Sequence, residues 1–223
     1  MFDQFTPKGR VLAAALDCAA RKSWDEVTLL DIAEAAKLPL VDLRGELSSK
    51  TDIIAALLRA VDDEVLKRAP KRAEGQAARD VLFDIVMSRF DALGPYKGAL
   101  KSIHASGPAD LALAGPFLAS MHWMLQAAGI GTDGAAGGLR VTGLATVYAS
   151  VFRVWLEDDD PGHARTMAAL DRRLRRGERA MRNVEQVGSV IHRVVTDAPG
   201  LLRSVFRGRS TPQSGAGPEA GTV

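Results

Sequence analysis

Few residues of this chain are spaced for covalent chemistry. The four histidines, His104, His122, His163 and His192, stand far apart, and no HExxH or CxxC pattern joins them or the lone Cys18. A zinc or similar site needs three or four ligands at short, characteristic intervals, so no metal centre is expected. No serine, histidine and acid assemble into a nucleophile motif. The sequence therefore predicts no enzymatic activity of its own and no cofactor. The acidic run Glu157 to Asp160 lies beside His163 and could hold a cation, but acids ahead of a helix are expected to cap it. What remains is the chemistry of binding. Trp123, Met124, Tyr148, Phe152 and Trp155 lie in stretches almost free of charge and could line an apolar cavity for a long tail. At helical spacing the same residues could equally be plain core. DRRLRRGERAMR, 171–182, carries six arginines against Asp171 and Glu178. Such a run is either a solvated helix face with local ion pairs or a contact for an anionic membrane or acidic partner. In PGLLRSVFRGR, Leu201, Leu202, Val205 and Phe206 can share one face with Arg203, Arg207 and Arg209 around it. That is the pattern of a helix lying in a membrane interface, or of a short helix packed back on the core.

The elements that must position these residues are helical. The chain has 223 residues, 25% of them charged and 47% hydrophobic, with a formal net charge of +2. Such a balance suits a soluble globular protein with no chain-wide pull toward nucleic acid. One cysteine permits no internal disulfide and suits a reducing cytoplasm. Apolar residues recur at helical spacing over Pro7 to Arg21, and Thr28 with Asp31 forms a capping signal before a second helix. A third helix is expected over Leu40 to Leu47. Ser49 with Asp52 signals a fourth, carrying Ile53, Ile54, Leu57, Val61 and Val65 on one face. Ala69 to Gln76 is a polar linker. Further helices are expected over about 78–93, 97–104, 139–156 and from Pro161 to about Arg182. Leu111 to Thr132 contains no charged residue and is expected as a buried helix rather than a membrane span, because Pro116, Ser120, His122 and Gln126 interrupt it. The glycine-rich GIGTDGAAGG, 129–138, is expected as a loop; it lacks GxxxxGK[ST] and follows no strand.

Three short helices with a tight middle turn make a helix-turn-helix. Gly9 to Leu58, through DIAEAA, the turn at Lys37, the anchors Leu43 and Leu47, and SSK at 48–50, resembles the head of the tetracycline-repressor (TetR) family. That resemblance implies an all-α fold whose second domain binds a small ligand and dimerises. The reading helix departs from it. It carries Pro39, Leu40, Val41, Asp42, Gly45 and Glu46, and residues 1–50 hold seven basic against eight acidic side chains. Acids on a reading helix are repelled by phosphates. If the head does bind DNA, Arg44 and Lys50 are the expected contacts.

The second half resembles another family. Gly143-Leu144, Tyr148, Val154-Trp155-Leu156, Asp158 to Pro161, Thr166-Met167 and Leu170 to Leu174 are similar, in order, to the ubiquinone-biosynthesis accessory proteins of the Coq-nine family, over about Val81 to Met181. This resemblance implies a homodimer that shares the TetR fold, holds an isoprenoid quinone or other lipid, and presents it to a hydroxylase of ubiquinone synthesis. Eukaryotic relatives place bulky aromatics after the glycine-rich loop; this chain has Gly137 and Gly138. The expected organisation is a TetR-like head, 1–68; a helical lipid-binding and dimerisation domain, 77–195; an amphipathic membrane-docking helix, 198–209; and a disordered tail, 210–223. The expected place is the cytoplasm and the inner face of the cell membrane. The alternatives are a ligand-responsive DNA-binding regulator and an interaction module that keeps only the fold.

Overall fold

The computed structural model describes residues 2–3, 5–107 and 110–180. Every regular element among them is a helix. In chain order these are α1 (Pro7–Arg21), α2 (Leu29–Ala36), α3 (Leu40–Glu46), α4 (Lys50–Arg68), α5 (Ala78–Leu93), α6 (Lys97–Ala105), α7 (Ala114–Ala127), α8 (Gly134–Leu156) and α9, covering 164–180. Met1–Glu178 forms one compact unit and a second begins at Arg179. Of the second, only Arg179 and Ala180 are described. The segments expected at 198–209 and 210–223 lie outside the described residues.

Local chemistry explains the start of the chain. Thr6 accepts from the Gly9 amide at 3.1 Å and Pro7 opens α1, where a missing amide proton is harmless. Thr28 and Asp31 form a reciprocal capping box on α2. Lys22 adds an ion pair to Asp31 at 2.7 Å. The α2–α3 turn places Lys37 in the left-handed region (φ 54°, ψ 47°), and the Leu38 amide reaches back to Ala33 O at 2.9 Å. At α4, Ser49 accepts from the Asp52 amide at 2.9 Å, while Asp52 turns to the Ser48 amide and hydroxyl instead of completing a second box.

Helix α4 ties the head to the rest. It packs on α1 and also on α5 and α7, with Ile53, Leu57, Val61 and Val65 buried. Helix α1 lies against α6, where Ser102 accepts from the Trp24 amide at 3.0 Å and donates to Lys22 O at 3.2 Å. The polar segment Ala69 to Gln76 is the loop between α4 and α5, and the helices on both sides of it belong to one compact unit.

Three expectations change. The uncharged stretch is a single 3-10 turn, Leu111–Leu113, followed by α7, and α7 buries one face only: Ser120, Met121, Met124 and Leu125. Its outer face carries Gly115, Ala119, Trp123 and Gln126, so α7 is half-exposed with no charge to mark its outer side. No described helix is long and apolar enough to cross a membrane. Second, the end of the glycine-rich stretch is helical: α8 starts at Gly134 after Asp133, and Gly137 is needed there because a Cβ would meet Thr132 O at 2.1 Å. Third, α9 starts at 164, not at Pro161. His163 takes a left-handed turn (φ 51°) after Gly162. The caps then come from Asp160, which accepts from the Ala164 amide at 3.1 Å, and from buried Asp158, which accepts from the Thr166 amide at 2.9 Å and hydroxyl at 2.6 Å.

Candidate functional site

Four helices converge on a buried polar group in an otherwise apolar interior. Arg89 of α5 is 1% exposed. Its guanidinium pairs with Asp62 of α4 and its Nε donates to the Tyr148 hydroxyl of α8 at 3.2 Å. Ser120 of α7 donates to the other Asp62 oxygen at 2.6 Å. Burial disfavours the Arg89 cation, but Tyr148 and the Asp62 carboxylate outweigh it and hold the guanidinium pKa above its ordinary value. Burial pushes the Tyr148 phenol up, against the opposing pull of Arg89. The cluster is charged and internally hydrogen-bonded.

An aromatic stack rises from it. Phe90 stacks on Tyr148 at 5.3 Å and on Trp155 at 5.4 Å. Phe152 adds to Tyr148 at 6.1 Å and to Trp155 at 5.6 Å, and Phe117 of α7 approaches Tyr148 at 5.9 Å. Trp155 is fully buried, and its Nε1 has no hydrogen-bond partner among the described residues. Phe117 and Phe152 are half-buried, so the stack reaches the surface at these two rings. His104 of α6 stands edge-on to Phe152 at 5.9 Å. Arrangements of this kind offer flat apolar faces with one polar end.

Of the five residues expected to hold a lipid, Tyr148, Phe152 and Trp155 come together in this stack. Met124 is buried on the inner face of α7. Trp123 is apart from them: it is 53% exposed on the outer face, edge-on to His122. Two cavities lie elsewhere. One of about 400 Å³ runs between α5 and α9, floored by Phe83, Met167, Ala168 and Leu174 and rimmed by Arg79, Asp80, Asp84 and Asp171. The other, about 350 Å³, lies between α3 and α4 beside Arg44, Glu46, Asp52 and Arg59. None of the five expected residues lines either.

Asp62, Arg89 and Ser120 were not expected from sequence. The available signal was an arginine four residues after Ile85 and one before Phe90, in line with buried positions of α5. A charge there must find a buried partner, but sequence does not say on which helix.

Two features of the head concern the residues expected to contact DNA. Lys50 points inward, its ammonium donating to Trp24 O and to Val27 O at 3.0 Å and lying 4.6 Å from the Trp24 ring centre. Its charge holds the α1–α2 loop. Arg44 is exposed, but the same helix also presents Val41, 72% exposed, and Leu40, 49% exposed, with Asp42 and Glu46.

Comparison with known proteins places these features. Residues 140–181, most of α8 together with α9, match the COQ9 family model. No curated protein matches the chain. Solved structures of the same fold include a TetR transcriptional regulator from Nitrosomonas europaea, with 23% identity, TM-score 0.61, and 77% of this chain and 97% of that one covered. A TetR regulator from a Rhodococcus species shows 20% identity, TM-score 0.58, and 75% and 93% coverage. A TetR-family regulator from Streptomyces coelicolor shows 16% identity, TM-score 0.55, and 90% and 96% coverage. At these identities the likeness is one of fold. The COQ9 match covers the segment that supplies Tyr148, Phe152 and Trp155, and the chain around it has the all-helical fold of the TetR regulators.

Proposed function

We propose that this protein is a non-enzymatic, homodimeric accessory protein of ubiquinone biosynthesis that binds an isoprenoid quinone or related lipid and presents it to a hydroxylase. The observation that carries the reading is the placement of the COQ9-matching segment: it supplies three rings of the aromatic stack, Tyr148, Phe152 and Trp155, directly above the Arg89–Asp62 pair. A long isoprenoid tail needs flat apolar walls, and its quinone or phenol head needs a few fixed polar groups. The stack and the polar cluster supply those two kinds of surface in one place. Phe117 and Phe152, half-buried at its edge, are where a tail would part the helices.

The regulator reading draws on the fold of the head. Against it stand a reading helix that exposes Leu40 and Val41 beside Asp42 and Glu46, and a Lys50 turned inward. An apolar, acidic surface fits a phosphate backbone poorly.

The test is solvent extraction of the purified full-length protein followed by mass spectrometry. A stoichiometric isoprenoid quinone or precursor is expected, with loading lost in Phe152→Asp while the fold is kept. A well-folded protein that carries no lipid and takes up none from quinone-containing vesicles would overturn the reading. Selection of a DNA sequence by the same protein would restore the regulator.

A further inference from the structure

The arginine run of the last described helix forms a one-sided cationic face. At about 100° per residue, Arg165, Arg172 and Arg176 of α9 fall within about 40° of one another. The inner side of the helix holds Thr166, Ala169, Leu170 and Leu174, all buried. Both carboxylates of the helix are already engaged. Asp171 is paired with Arg175 at 2.8 Å, and Glu178 meets Arg79 of α5 at 3.5 Å. Ala168 and Arg175 continue the arginine side, and Asp171, 40% exposed and paired with Arg175, borders it together with exposed Met167. Arg172 and Arg176 are exposed and have no ionic or hydrogen-bonding partner among the described residues. Arg165 bonds only the Glu157 carbonyl, at 3.3 Å, which leaves its charge uncompensated. The acids just before the helix are mostly occupied, with Asp158 and Asp160 capping α9 and Asp159 beside Lys97 and Lys101.

We propose that this face docks the protein on an anionic lipid bilayer. The inference rests on the lipid-presenting reading and adds where the protein meets the membrane. Three charges set along about 16 Å of a straight helix match a flat surface of like anions. Duplex DNA is the less suitable polyanion, because in this fold it is read by the head, and this head presents Asp42 and Glu46. The three arginines have no bulky apolar side chain among them, and Met167, the exposed apolar residue of α9, lies about 140° round the helix from Arg172. The face therefore holds by charge without insertion, and the attachment weakens steeply with salt. It is separate from the 198–209 segment and predicts binding that survives loss of that segment.

The experiment is co-sedimentation of the full-length protein with vesicles of phosphatidylcholine containing 30% phosphatidylglycerol, at low and high salt. Arg172→Gln/Arg176→Gln is expected to weaken binding about 25-fold, from about fivefold per arginine. Pure phosphatidylcholine should not bind, and Arg59→Gln/Arg44→Gln, which removes equal charge from α4 and α3, should change little. Circular dichroism and melting temperature should be unchanged in both. Undiminished binding by the α9 variant would overturn the proposal. So would an equal loss in the α3–α4 control, since net charge alone would then be acting, or a loss confined to duplex DNA or an acidic peptide. Vesicle binding through α9 by a protein that carries no isoprenoid lipid would sink the lipid-presenting reading and leave the docking face standing.

Discussion

Arg89 shows what one residue can decide. It is buried against Asp62, Tyr148 and a ring of aromatics, where an unpaired charge is strongly unfavourable. Arg89→Met alone should lower stability by about 3–5 kcal/mol, because it strands Asp62. Arg89→Met with Asp62→Leu should recover most of that loss. Urea unfolding of the three proteins checks it; equal loss in the single and double variants would refute the buried-pair account. Asp31 makes a prediction of another kind. Its bonds to Lys22 and Thr28 hold its carboxyl well below the ordinary range. A depressed carboxylate stabilises the fold above its ordinary pKa, and that stability is lost as pH falls through the lowered folded value. Melting temperature should therefore drop below about pH 4. Asp31→Asn should melt lower than wild type at pH 7 and show a shallower acid slope. Asp52, Asp110 and Asp158 are lowered too, so the slope should shrink without vanishing.

At the scale of the element, helices were legible wherever local chemistry is sufficient. Thr6-Pro7 and the Thr28/Asp31 box set the starts of α1 and α2 within a few residues of chain. The misplaced ends lie where a distant or unusual contact intervenes. Asp158 caps α9 by binding Thr166, eight residues further on, and the first turn of α8 closes onto Thr132, which only a glycine at 137 allows. Helix α3 carries an avoidable weakness. A Cβ at Gly45 would meet nothing within 4 Å. Gly45→Ala should stabilise the protein by about 1 kcal/mol, read as a higher urea midpoint at unchanged slope. A loss of stability there would mean that the α3 backbone needs glycine for a reason beyond propensity.

For the molecule as a whole, α4 and α6 join the head to the later helices. Trp24 of the head is tied through its amide to Ser102 of α6, and α4 packs on α1, α5 and α7. Variants keeping only Trp24 or only Trp155 as fluorophore should therefore unfold with the same midpoint, coincident with circular dichroism. Separate midpoints would mean that the head folds independently. By itself the sequence determined the all-helical architecture, the helix-turn-helix head, the acidic character of its reading helix and the COQ9-like segment. These are properties of periodicity, capping and charge that act over a few residues. Only the tertiary structure decided that Arg89, Asp62, Ser120 and Tyr148 meet, that Lys50 turns inward while Trp123 turns outward, and that Arg172 and Arg176 of α9 stay exposed with Asp171 and Glu178 paired to other arginines. Those facts depend on which helices pack together and at what rotation, and a side chain's partners across a core are fixed by packing that no local pattern encodes.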